Sequence, residues 1–153
     1  AEIPDEKVKY LIVGLGEKED SDRQLIDRLD LKSRVVLAGY REDIKELLHA
    51  ADAFVFPSLQ EGLPVALMEA MAAGLPSVSS RIRGNVDLIS DGTEGMLVEP
   101  MDMKGYAQAV MELERQPSVR EKLIANSKRK IQQFSIEHVH EKMKQIYLTI
   151  GKN

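Results

Sequence analysis

The chain has 153 residues, enough for one domain with one core, and its 43% hydrophobic and 30% charged residues are those of a globular protein rather than a disordered one. It has no cysteine, which excludes disulfides, thiolate chemistry and cysteine-bound zinc. The balance of 21 basic against 25 acidic side chains leaves a net charge of -4, which argues against nucleic acid as a partner but leaves room for a small anionic ligand at a locally positive site.

The N-terminal stretch AEIPDEKVKY has no apolar h-region, and no apolar run approaches the length of a membrane span. The expected address is cytoplasmic. Val8 to Val13 reads as a buried strand that ends at Gly14-Leu15-Gly16. Ser21 is expected to cap the helix that follows, with Gln24 closing a capping box and Leu25, Ile26 and Leu29 as its apolar stripe. Arg34 to Ala38 reads as the second strand. Ile44, Leu47, Leu48 and Ala51 have the spacing of a helix laid on a core. Ala53 to Phe56 is the third strand, stopped by Pro57.

The next helix is the best marked. Pro64 suits its first position and Gly74 the position past its end, and Ala66, Ala70, Ala72 and Ala73 suggest close approach to a sheet. Pro76 to Ser79 and Met96 to Val98 read as the fourth and fifth strands, with a short helix near Val86 to Ile89 and a turn at Asp91-Gly92. Beyond Pro100 the pattern is helix only. Its stripes are Tyr106, Val110 and Leu113; then Leu123, Ile124, Ser127 and Ile131; then Ile136, Val139, Met143, Ile146 and Ile150.

Alternation of strand and helix implies an α/β fold: a Rossmann-like open parallel sheet with helices on both faces, followed by C-terminal helices. Ligands bind such sheets at the carboxyl ends of the strands. That points to the loops Gly14 to Lys18, Gly39 to Arg41 and Pro57 to Leu63.

The run from Phe56 to Pro64 passes from a strand end into a helix start, where free N–H groups and the positive end of the dipole suit a phosphate. Pro64 has no N–H, so the available donors are Gly62, Leu63, Val65 and Ala66. Glu61 and Glu69 bracket the turn with seven residues between them. Carboxylates here make better sense as acceptors for paired sugar or ribose hydroxyls than as neighbours of phosphate. A plain strand–helix turn carrying two solvated glutamates is the alternative reading of the same spacing.

The stretch from Pro57 to Pro76 resembles the Glu-x7-Glu motif of glycosyltransferase family 4. The resemblance continues through Arg83-Gly84-Asn85-Val86-Asp87-Leu88-Ile89, Asp91-Gly92 and Gly95-Met96-Leu97-Val98-Glu99-Pro100, and upstream through Leu37 to Ile44 and Leu47 to Asp52. It implies the C-terminal, nucleotide-sugar-binding half of a GT-B enzyme that transfers a sugar with retention and without a metal or other cofactor. By that resemblance, Glu61 contacts the hydroxyls of the transferred sugar and is the catalytic candidate. Glu69 accepts from the ribose. The backbone of Gly62, Leu63, Val65 and Ala66 faces sugar or phosphate. Gly39, Tyr40 and Arg41 lie against the base, and Gly14 and Gly16 border the nucleotide. Two routes to retention stay open: double displacement with Glu61 as nucleophile, and the favoured same-face attack in which the leaving diphosphate serves as base.

The family's domain normally opens with one more strand and helix, carrying a Gly-Arg pair and a Lys for the diphosphate. The resemblance here begins after it. The expectation is therefore one donor-binding domain over residues 1–153 that lacks its first strand–helix unit. It would not turn over by itself. Residues 135–153 would form a helix against the absent acceptor-binding domain. The Arg-Gly-Asn-Val-Asp stretch resembles versions in bacterial capsule, exopolysaccharide and lipopolysaccharide enzymes. It implies a lipid-linked acceptor at the inner membrane face; the donor is expected to be a UDP- or GDP-sugar, with the base itself not legible in these residues. Among rivals, a dehydrogenase is disfavoured because Glu19 stands where a third glycine belongs. A glycosidase is disfavoured because both glutamates lie in one strand–turn–helix unit. A non-catalytic nucleotide-sugar-binding or interaction domain remains the alternative. His138 and His140, two apart on a helix, read as surface residues.

Overall fold

The computed structural model describes residues 2–4 and 7–150. The chain divides into two compact units, residues 1–47 and 48–153.

In the first unit, β1 (Tyr10–Val13) pairs in parallel with β2 (Val35–Gly39), in the register Tyr10 to Val35 and Ile12 to Leu37. A crossover helix, α1 (Glu19–Arg28), joins them, as a parallel pair requires. The expected cap at Ser21 does not form: α1 starts earlier, after Lys18, and Ser21 Oγ donates back to Lys18 O at 2.7 Å from within the first turn. Three acids in that turn, Glu19, Asp20 and Asp22, complement the positive helix end and permit the earlier start. Arg34 donates to the carbonyls of Val8 and Ile3, tying the segment before β1 to the start of β2. The α2 helix (Ile44–Ala50) spans the division between the units and stops one residue short of Ala51, which is exposed outside it.

In the second unit, β3 (Phe54–Phe56), β4 (Ser77–Ser80) and β5 (Met96–Val98) form a parallel sheet with β4 in the middle. Parallel pairing throughout agrees with the sequence reading. The hydrogen-bonded ladders nevertheless fall into two sheets, of two strands and of three.

Alternation of side chains along the three-stranded sheet gives it two apolar faces. On one, Leu97 meets Leu67 and Met71 of α3 (Val65–Ala73), Leu88 of α4 (Asn85–Leu88), and Ile89, with Phe54 and Phe56 packed alongside. On the other, Val78 and Val98 meet Ala109 and Leu113 of α5 (Met103–Arg115) and Leu123 of α6 (Pro117–Ile131). The α6 helix serves both clusters, since Ile131 joins the first. The register sets Ser77 beside Phe54 and Ser79 beside Phe56, so small side chains sit next to large ones and leave room for α3.

Pro64 is not the first residue of α3 but its N-cap, with extended backbone (ψ 91°). Gly74 ends the helix in the left-handed conformation (φ 84°), the position a glycine fits without strain. Of the alanines expected at the sheet, Ala70 is fully buried, whereas Ala66 and Ala72 face outward. Asp102 caps α5 by accepting from Gly105 N at 2.9 Å, and Pro117 opens α6. A 3-10 turn (Gln132–Phe134) leads into α7 (Ile136–Ile150), which has no buried residue. Among the described residues, no helix is long and apolar enough to cross a membrane.

Candidate functional site

The strand–turn–helix unit of β3 and α3 places both glutamates. Pro57 ends β3, the loop runs to Pro64, and α3 begins at Val65. Glu61 is half-buried in the loop, with Ser58 Oγ donating to its Oε1 at 2.6 Å. That bond fixes one carboxylate oxygen and leaves the other free to accept. Glu69 is exposed one turn into α3, on the side opposite the buried Leu67 and Met71, and makes no hydrogen bond or ion pair among the described residues.

The first turn of α3 offers the N–H groups of Val65 and Ala66, which have no helical partner, while Pro64 contributes only its carbonyl, to Met68 N at 3.1 Å. Both donor residues are exposed, with Gly62 and Leu63 exposed before them. The first turn of α3 carries no acidic residue. A carboxylate that accepts, a second one a turn further on, and a free helix N-terminus between them suit a ligand with both hydroxyls and a phosphate.

In the first unit, Gly14 and Gly16 follow β1, and Gly39, Tyr40 and Arg41 close β2. Gly14 N donates to Gly39 O at 2.8 Å, so these two loops are held side by side. Tyr40 is 70% exposed, enough to present a ring to a planar group. Arg41 is not free: its Nε donates to Asp43 Oδ1 at 2.7 Å and its second nitrogen engages Oδ2. The hydrogen bond from Arg41 holds the Asp43 carboxyl below its ordinary range and raises the guanidinium in turn. What remains for a ligand is the flat face and the outer N–H groups of the guanidinium.

The residues beneath the Glu61 loop were not singled out for a role by the sequence reading. Ser80 ends β4 and donates from Oγ to Ser58 O. Asn85, fully buried at the start of α4, donates from Nδ2 to Ser80 O at 2.9 Å and to Ser80 Oγ at 3.1 Å. Gly84, at φ +92°, abuts the loop so closely that a Cβ there would lie 2.7 Å from Gly62 O and 2.9 Å from Glu61 O. The signal available was a Gly-Asn pair just past a strand end, a place where close backbone approach is common.

Arg81, next in the chain, is consumed by a tie across the sheet end. It donates to Asp91 Oδ2 at 2.7 Å and Leu97 O at 3.2 Å, and pairs with Glu99 at 3.0 Å, while Leu97 N donates to Asp91 Oδ1 at 2.9 Å. Burial pushes the Asp91 carboxyl up, but the Leu97 N–H and the Arg81 guanidinium outweigh it and hold it below the ordinary 3.8. A depressed folded-state value means that this tie contributes stability above that ordinary value, lost as pH falls through the lower value in the folded chain. In Arg81→Ala, carboxyl NMR titration should find the Asp91 midpoint moved upward. An unchanged midpoint would mean that the backbone alone sets it. Arg83 makes no hydrogen bond or ion pair among the described residues, and His138 and His140 are exposed.

A parallel α/β core with an acidic strand–turn–helix unit at a strand's carboxyl end is the C-terminal domain of a GT-B glycosyltransferase. The chain belongs to the family described as glycosyl transferases group 1, which matches residues 1–130. It is 35% identical over 153 residues to the Escherichia coli UDP-Gal:alpha-D-GlcNAc-diphosphoundecaprenol alpha-1,3-galactosyltransferase, a match covering 99% of this chain and 39% of that protein. It is 32% identical to a putative colanic acid biosynthesis glycosyltransferase of Salmonella typhimurium, covering 93% of this chain and 37% of the relative. Among solved structures, Anabaena HepE in complex with UDP and glucose superposes with a TM-score of 0.86 at 25% identity, covering 96% of this chain and 42% of HepE. The chain thus spans about two fifths of the length of these relatives.

Proposed function

We propose that this chain binds the donor of a retaining hexosyltransferase, a nucleotide-diphosphate sugar, and serves in the synthesis of a bacterial surface polysaccharide. The observation that carries the reading is the pairing of Glu61 and Glu69 about the free N-terminus of α3. Relatives that act on UDP-galactose or hold UDP and glucose favour a UDP-sugar over a GDP-sugar.

In this reading, the free oxygen of Glu61 accepts from hydroxyls of the transferred sugar and Glu69 accepts from the ribose. The backbone N–H groups of Gly62, Leu63, Val65 and Ala66 face sugar hydroxyls and phosphate. Within the first unit, Gly14 and Gly16 border the nucleotide, and Gly39, Tyr40 and Arg41 face the base. As the bond from the anomeric carbon to the diphosphate breaks, charge grows on the leaving oxygen, and fixed N–H dipoles stabilise it without reorganising. The acceptor oxygen forms the new bond on the same face and passes its proton to the departing phosphate. Residues 1–153 are read as one donor-binding domain. The exposed stripe of α7, with Ile136 at 72% and Ile150 at 66%, suits a helix that packs on an acceptor-binding domain. The acceptor is read as lipid-linked, at the cytoplasmic face of the membrane. This chain by itself is not expected to turn over.

The test is a titration of the chain with UDP, GDP, ADP and the corresponding sugars, followed by amide NMR. Shifts at Glu61 to Glu69, and at Gly14 to Lys18 and Gly39 to Arg41, are expected with one nucleotide preferred. Binding of none of them would overturn the donor reading, and acceptor glycosylation by the chain alone would overturn its inactivity.

A further inference from the structure

The turn after β4 touches the Glu61 loop at two separate points. At one, Ser80 Oγ donates to Ser58 O, and the Ser58 hydroxyl in turn donates to Glu61 Oε1 at 2.6 Å. At the other, Gly84 lies against the carbonyls of Glu61 and Gly62 with no room for a side chain. Asn85 joins these points. Its two Nδ2 hydrogens go to the carbonyl and the hydroxyl oxygen of Ser80, at 2.9 and 3.1 Å. With one lone pair of that hydroxyl accepting from Asn85, its one hydrogen is directed across to the loop.

Asn85 is a poor choice for packing alone. It is fully buried, and its Oδ1 has no hydrogen-bond partner. A buried acceptor left unpaired disfavours folding, and an apolar side chain of similar volume would avoid that cost. What the amide supplies instead is the pair of bonds that orient Ser80.

We propose that Asn85, acting through Ser80 and Ser58, is a positioning residue that holds the Glu61 carboxylate in the orientation that accepts from the donor's sugar. The consequence for binding rests on the donor-site reading above; the brace itself does not. Glu61 sits on a loop, and a loop carboxylate presents one geometry only if its backbone is tied down from below. The tie runs from the carboxyl end of the central strand β4 and the start of α4, so the rigid sheet fixes the carboxylate.

Asn85→Leu in this chain tests the proposal by two independent readouts. The first needs no ligand. Backbone order parameters at Ser58 to Gly62 should fall from about 0.85 to below about 0.6, while those of Leu67 to Ala73 stay rigid. The second is binding: affinity for UDP-glucose should fall about tenfold and affinity for UDP itself by much less, because only the sugar meets Glu61 and the Gly62 N–H is one of several that face the phosphate. A general loss of structure would weaken both ligands alike. Ser80→Ala should reproduce both results, and carries the test if Asn85→Leu does not fold. Unchanged loop order in Ser80→Ala overturns the brace, whether or not any nucleotide binds. A loosened loop with the preference for UDP-glucose over UDP intact overturns the positioning role. Failure of the parent chain to bind UDP-glucose removes the donor reading instead, and the relaxation measurement still decides the brace.

Discussion

Glu69→Gln is expected to weaken binding of a UDP-sugar by about 10- to 150-fold, the loss of a charge-assisted hydrogen-bonded pair worth roughly 1.5–3 kcal/mol. The ionised carboxylate offers two oxygens to neighbouring ribose hydroxyls, whereas the amide offers one oxygen and sets a donor against the second hydroxyl. Glu69 is exposed and bonds to no described residue, so the substitution leaves the fold intact. Calorimetric titration of the two chains measures the ratio. Affinities that agree within about twofold would show that Glu69 is a solvated surface residue and would remove it from the site. UDP without a sugar should show the same loss, because the ribose is common to both ligands. That separates Glu69 from Glu61, whose effect should appear only when the sugar is present.

The largest effect on stability is expected at Leu67. It is fully buried between Glu61 and Glu69 in the chain and packs with Met71, Leu88 and Leu97. Leu67→Ala should cost about 2–5 kcal/mol, the transfer term for the lost methyl groups plus the cavity they leave. The neighbouring Val65 is 60% exposed, and Val65→Ala should change stability by less than about 0.5 kcal/mol. Urea unfolding followed by circular dichroism compares the three chains. A cost at Leu67 no larger than that at Val65 would mean that α3 is not anchored by this face. The contrast matters for function as well: α3 carries Glu69 and the N–H groups of the candidate site, and Leu67 is what sets the helix on the sheet.

The elements that could be read from the chain were those marked by local chemistry. Met96–Val98 was placed to the residue, and Gly74 ends α3 because a left-handed residue there asks for glycine. The carboxyl-end rule led to the Glu61 loop, since strand, proline and helix start follow one another within a few residues. Local signals misled where two rules competed. At α1 the capping box at Ser21 lost to three acids at the helix dipole, and at α3 Pro64 served as the cap instead of the first helical residue. The split of the strands into ladders of two and three was not legible, because hydrogen-bond partners between strands are set by packing.

The sequence by itself determined the fold class and the pair of glutamates about a helix start, since each depends on periodicity or on local spacing, and it determined the family through motifs that resemble it in order along most of the chain. Only the tertiary structure decided what lies beneath that pair. Ser80 and Asn85 come 22 and 24 positions after Ser58 and Glu61 respectively, and nothing local distinguishes a buried serine or asparagine from an exposed one. It is the parallel pairing of β3 with β4 that brings the end of one strand beside the end of the other, and so turns Ser80, Gly84 and Asn85 into the floor of the Glu61 loop.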